Sequence, residues 1–311
     1  MKQFFFFALF FLTSSNNIYS QDHRNSYSKA IEDVLSLYDK KQIVALGENH
    51  GRFKESEFRL QLIKHPDFSK TVDVIVVEFA NPLYQTIIDD YVNGKNVELN
   101  TLKKVWQNTT QVSGVWDSPV YMDFFKTVRG VNSKLSNNNK IRIIAADPPI
   151  DWSKVNSYID FEPFSNRGSY PVEVVEREIY DKNLKALLIF GSQHTELSGK
   201  GFTSRLLKKH PGTIAIIMPP AFDEKEMQLL KRYIDSPNTQ LIDLNLNNLG
   251  NIPYKEIQPH FRFNGLLKDA GQFKLFLGFE KDSVVHIPES INNDEVYQKE
   301  KKRRLKILSR N

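Results

Sequence analysis

Seven short runs along the chain are apolar almost without interruption, at 43–48, 73–80, 141–147, 186–192, 213–219, 240–244 and 274–279. None of them alternates apolar with polar positions, which is how a strand buried on both faces reads. Between the runs lie amphipathic segments that predict helices over 52–64, 82–92, 119–135, 172–184, 201–209, 223–235 and 293–308. Pro82, Pro119 and Pro171 stand near the starts of these segments, and Pro66, Pro211 and Pro237 follow soon after helix ends. Both placements suit a residue that opens helices well and cannot continue them. Strand and helix alternating in this way build βαβ units, so the expected fold is α/β, a mainly parallel sheet with helices on both faces. The stretch 94–116 is too long for a plain connection and carries Trp106 and Trp116. It predicts a helical lid insertion.

Composition places the chain among ordinary globular proteins, at 40% hydrophobic and 25% charged residues. The net charge of +5 and a pI near 9.0 first suggest a polyanionic partner. The charge is not spread through the chain. Residues 294–311 hold seven bases and three acids, a net +4, and Lys2 is the sole charge of residues 1–20. The body, residues 21–293, is therefore neutral. A basic groove, and with it a nucleic-acid partner, is not expected. The basic residues belong to one predicted C-terminal helix, 293–308, with Leu305 and Leu308 (or Ile307) giving it an apolar side and a solvated basic face opposite.

Residues 1–20 read as a signal peptide. Lys2 opens it, an apolar stretch of nine residues follows at 4–12, and a polar region ends at Ser20 before Gln21. Nine residues are too few to cross a bilayer core, which takes roughly 20 in a helix. No stable membrane span is expected once the leader is cut near Ser20/Gln21. The chain has no cysteine, so it has neither disulfides nor a site for a lipid anchor. Together these features predict a bacterial protein, periplasmic or secreted, whose residues 21–311 form one domain large enough to fold without staples.

Ligands of an open parallel sheet bind at the carboxyl ends of its strands. The first predicted strand ends in Gly47-Glu48-Asn49-His50-Gly51, the second in Glu78-Phe79-Ala80-Asn81, the third in Asp147 to Trp152, and the fourth in Gly191-Ser192-Gln193-His194. Four strand ends thus carry Glu48, His50, Glu78, Asp147 and His194. Glu78 interrupts an apolar run, and a buried carboxylate without a partner is costly. The histidines are its natural partners. A carboxylate beside a histidine can activate water, with Glu78 or His50 as the base, Glu48 and His194 completing the catalytic set, and His194 or Arg52 stabilising developing negative charge. The same residues could instead bind a metal. Arg52, Glu55, Asp147, Trp116 and Trp152 are the candidate substrate-binding residues. The partner is a small-molecule ligand or substrate, and the cofactor is open between none, a divalent metal and haem. His23, His65, His210, His260 and His286 read as structural or solvated.

The segments Gly47-Glu48-Asn49-His50-Gly51 with Glu55, then Val76-Val77-Glu78-Phe79, then Gly191-Ser192-Gln193-His194, resemble the erythromycin esterase-like superfamily, which also takes in ChaN-like haem-uptake and Tiki/TraB proteins. The ending at 274–278, with Tyr297, Glu300, Arg303 and Arg304, is similar to that superfamily's closing strand and helix. The resemblance spans about 40 to 308. It implies a hydrolase in which His50 and Glu78 are the catalytic pair and His194 the later histidine. The esterase motif has two residues between glutamate and histidine where Asn49 stands alone here, as in the ChaN-like pattern. That branch implies the alternative, a haem- or metal-binding iron-uptake protein without catalytic activity. The Tiki branch implies a metal-dependent protease.

Overall fold

The computed structural model describes residues 27–197, 199, 201–257 and 263–309. The signal read at 1–20, His23 and His260 lie outside the described residues. All seven predicted runs are strands: β1 (Ile43–Glu48), β2 (Val74–Val77), β3 (Arg142–Ala145), β4 (Ala186–Gly191), β5 (Ile214–Met218), β6 (Gln240–Asp243) and β7 (Phe273–Phe276). They form one sheet in the order β3-β2-β4-β1-β5-β7-β6, parallel except for β6, which runs antiparallel to β7.

The unbroken apolar runs are explained by burial on both faces. Val44 and Leu46 of β1, Ile75 and Val77 of β2, and Leu187 and Ile189 of β4 enter one core. Ile43 and Ala45, Val74 and Val76, and Ala186, Leu188 and Phe190 enter another. The helices Phe53–Lys64, Gln85–Val92, Leu99–Gln107 and Pro119–Asn132 cover the first face, and Tyr170–Val175 and Phe202–Lys209 the second. A two-sided sheet has no polar face to supply an alternating pattern.

The connections position the site. After β1 the chain crosses β4 to reach β2, over the first face. After β4 it crosses β1 to reach β5, over the second. Connections that leave neighbouring strands on opposite faces open a crevice at the carboxyl ends of those strands. β1 and β4 pair so that Glu48 lies opposite Gly191, and Glu78 continues β2 by donating its backbone N–H to Ile189 O at 3.1 Å. The three strand ends therefore stop at one level.

The turn after His50 is held by a distant segment. Gly51 takes φ +70°, the left-handed region that glycine enters without strain. Val285 N donates to Gly51 O at 2.8 Å, and Phe53 N donates to Ser283 O at 2.9 Å. Asp282, buried, accepts from Lys54 N at 2.8 Å and Glu55 N at 3.3 Å. It thus caps helix Phe53–Lys64 from 228 residues away along the chain, supplying the acceptor that Arg52 cannot.

The 94–116 insertion is helical, and it is docked rather than loose. Leu102, Val105 and Trp106 enter the first core, where Trp106 stacks on Phe125. Its last turn brings Trp116 to the site. The C-terminal helix runs Glu295–Leu308, and Ile307 and Leu308 of its expected apolar side pack against the small core around Trp152 and Phe161. Leu305 is exposed and Arg304 is buried. Arg304 donates to Gln107 O and Asn108 Oδ1, both at 2.7 Å, and lies over the Trp152 ring. Arg303 donates to Trp152 O and Val155 O. Part of the basic tail is thus consumed in fastening the tail, since a guanidinium can satisfy several backbone carbonyls at once. Among the described residues no helix is long and apolar enough to cross a membrane.

Candidate active site

Glu48 is the last residue of β1 and is buried. Its carboxylate has three partners. Oε2 pairs with Arg59 Nη1, a residue one helix on and equally buried. Oε1 accepts from Tyr121 OH at 2.9 Å and meets His50 Nδ1 at 2.8 Å. Burial alone would raise this carboxyl, but the Arg59 guanidinium, then His50 and the Tyr121 hydroxyl, hold it at about 2. An ionised carboxylate can only accept, so His50 Nδ1 carries the proton of that bond. Nε2 makes no hydrogen bond to the described residues. The His50 side chain is 28% exposed, and its ring meets the edge of Trp116 at 4.5 Å between centroids. Burial disfavours the charged ring, but the hydrogen bond to Glu48 and the charges of Glu48 and Glu78 raise its pKa above the ordinary histidine value.

Glu78, the residue after β2, is buried and fully engaged. Oε2 accepts from Gly191 N at 2.7 Å, and Oε1 accepts from Arg167 Nη2 at 2.5 Å and lies 3.2 Å from His194 Nε2. Burial opposes ionisation, yet His194, Arg167 and His50 together hold this carboxyl well below the usual range. Glu78 is therefore a poor proton acceptor, its carboxylate occupied by Gly191 N, Arg167 and His194. Asp147 accepts from Thr110 N at 2.5 Å and Thr110 Oγ1 at 2.7 Å, and lies 3.4 Å from Arg167 Nε. Burial pushes it up to about 6 against the opposing pull of Arg167 and Thr110.

Gly191 is the floor of this arrangement. A Cβ there would meet His50 Cε1 at 2.9 Å, His50 Nε2 at 3.0 Å and Glu78 Oε2 at 3.3 Å. The imidazole edge and the Glu78 carboxylate thus converge on the space above this one residue. Its backbone, at φ −51° and ψ 141°, suits alanine as well as glycine. Gly191→Ala is therefore expected to fold normally and to displace the His50 ring. Displacement of a reacting group by about 1 Å can cost roughly 100-fold in turnover. An unchanged kcat with an unchanged unfolding temperature would count against this placement of His50.

The structure brings Glu48, His50, Glu78, His194, Asp147 and Trp116 together. It places three sequence candidates elsewhere. Glu55 accepts the Asn49 backbone N–H with both oxygens, at 3.0 and 3.1 Å, so it braces the turn rather than facing a ligand. Burial and then the nearby Glu48 push its carboxyl well above the usual range. Arg52 reaches away to Asp282 O at 3.4 Å and lies over Phe222. Trp152 is buried against Phe161 and donates to Thr109 O at 3.0 Å, inside the small core beneath the C-terminal helix.

Arg59, Tyr121, Arg167 and Thr110 are absent from the sequence reading. Arg59 had a signal, because it shares a helical stripe with buried Glu55, Phe58, Leu62 and Ile63 and is an arginine on an apolar face. Arg167 sits in an irregular stretch between helices and Tyr121 on an amphipathic helix, and neither stands out by pattern. Among the described residues no group of three or more His, Asp or Glu side chains is disposed to hold a metal ion.

No family model matches the chain, and no curated protein matches it in sequence. Solved structures do match. A Bacillus cereus protein superposes with a TM-score of 0.58 at 12% identity, over 88% of this chain and 100% of its own. A succinoglycan biosynthesis protein gives 0.57 at 11% identity, over 89% and 100%. A histidine-to-asparagine mutant of the erythromycin esterase EreC, in its open conformation, gives 0.56 at 12% identity, over 82% and 94%. At such identities the likeness is one of fold, and the fold of this chain is that of the erythromycin esterase EreC.

Proposed function

We propose that this protein is a hydrolase that cleaves an ester of a small molecule, with His50 as general base. The observation that carries the reading is the Glu48–His50 pair, in which a buried carboxylate fixes Nδ1 as the donor and leaves Nε2 unoccupied in a partly exposed ring. Nε2 takes a proton from water as the oxygen attacks the carbonyl carbon. It returns that proton to the departing oxygen as the tetrahedral species collapses. Glu48 keeps the ring in the correct tautomer and stabilises its charged form. Glu78 holds His194 and the Gly191 backbone in place. The fold shared with an erythromycin esterase supports ester chemistry. Charge supports an uncharged substrate, because among the described residues Glu48, Glu78 and Asp147 face the cations Arg59 and Arg167 and the two histidines alone. The leader read at 1–20 would place this activity outside the cytoplasm.

The test is a pH–rate profile for hydrolysis of aryl esters and lactones by the purified protein. The base works when unprotonated, so kcat/KM is expected to rise with pH through a limb above 6.5, the ordinary histidine value from which Glu48 and Glu78 raise His50. Glu48→Gln removes the first of those charges and should move the limb to lower pH. A profile that is flat from about pH 5 to 8, or one that Glu48→Gln leaves in place, would overturn the assignment of His50.

A further inference from the structure

Arg167 is clamped on one edge of its guanidinium and open on the other. Nη2 donates to Glu78 Oε1 at 2.5 Å, and Nε faces Asp147 Oδ1 at 3.4 Å. Nη1 makes no hydrogen bond to the described residues, although the side chain is only 22% exposed. These acids have other partners already. Asp147 has both Thr110 donors, and Glu78 has Gly191 N and His194. Glu78 holds the guanidinium through Nη2, Asp147 faces Nε by charge without a hydrogen bond to it, and Thr110 fixes Asp147. An arginine held this way presents its remaining N–H groups in a fixed direction without reorganisation, which is what stabilisation of a developing charge requires.

We propose that Arg167 is the oxyanion-stabilising residue of the site, with the Nη1 amino group donating to the carbonyl oxygen of the ester under attack. The proposal rests on the hydrolase reading. As the water oxygen bonds to the carbonyl carbon and His50 Nε2 takes its proton, the carbonyl π pair moves onto oxygen. The Arg167 N–H groups hydrogen-bond that oxygen and keep their protons, since a guanidinium does not deprotonate here. When the pair returns to rebuild the carbonyl, the bond to the leaving oxygen breaks, and that oxygen takes the proton from His50. Asp147, a substrate-binding candidate by sequence, becomes a positioning residue that acts through Arg167.

The experiment compares wild type, Arg167→Met, Arg167→Lys and His50→Ala on the best aryl ester of the panel, with unfolding temperature measured for each. Arg167→Met keeps the stem and loses every donor. It is expected to lower kcat by about 100- to 1,000-fold with KM nearly unchanged, the signature of an interaction made in the transition state. The acid limb should also shift up in pH, because the Arg167 charge opposes protonation of His50. Should Arg167→Met fail to fold, Arg167→Lys retains a cation between the acids, and a loss of kcat of about tenfold or more is expected from the missing fork. Wild-type kcat in either folded variant, with His50→Ala inactive, overturns the role of Arg167 and leaves the hydrolase reading standing. Wild-type rates in His50→Ala overturn both.

Discussion

Arg59→Ala is expected to lose about 3–5 kcal/mol of folding stability, the usual consequence of stripping one partner from a buried ion pair. Both side chains of the Glu48–Arg59 pair are 2% exposed. Removing the guanidinium leaves an ionised carboxylate in the core with only the Tyr121 hydroxyl and the His50 ring to satisfy it. The loss follows from desolvation, so it should shrink when the charge is removed with its partner. Arg59→Met combined with Glu48→Gln is expected to be much milder than Arg59→Ala alone, because two neutral groups of similar size replace two charges. Urea unfolding of the single and double variants checks this. A cost below about 1 kcal/mol for Arg59→Ala would mean that water reaches the pair.

His50→Ala is expected to reduce kcat by roughly 100- to 10,000-fold, the range associated with a positioned general base. The effect on stability should be small by comparison, since the ring is partly exposed and Glu48 keeps Arg59 and Tyr121. This contrast separates the two residues of the pair. Arg59 is expected to matter for stability, and His50 for turnover. Steady-state hydrolysis beside thermal unfolding reads both quantities on one preparation. A His50→Ala protein with more than about a third of wild-type turnover would show that another group takes the proton.

The sheet was legible because a parallel strand covered on both faces must be apolar at every position, and that rule leaves a mark within five or six residues. Boundaries moved by one to three residues, as at 73–80, where the strand proper is Val74–Val77 and Glu78 follows it at the strand end. The strand-end residues Glu48, His50, Glu78, Asp147 and His194 were legible for the same reason. A charged residue that terminates an apolar run is conspicuous, and the topology of parallel sheets says where such residues gather.

Roles were harder to read than positions. His50 and Glu78 are interchangeable as bases on paper, and their surroundings separate them. Arg167 arrives from 89 residues beyond Glu78 in sequence to occupy its carboxylate. Arg59 and Tyr121 hold Glu48 from two different helices. Glu55 and Arg52 lie close to His50 along the chain but turn to Asn49 and to Asp282, because the 282–285 segment pairs with the turn after His50. None of these contacts leaves a periodic signature. Local pattern records burial, which each residue experiences through its own few neighbours in the chain. The pairing of charges is settled by which distant segments meet after the sheet has closed. The chain's pattern therefore yields an α/β fold with acids and histidines along one edge. The assembled fold decides which histidine pairs with Glu48, which pairs with Glu78, and which arginine stands beside them.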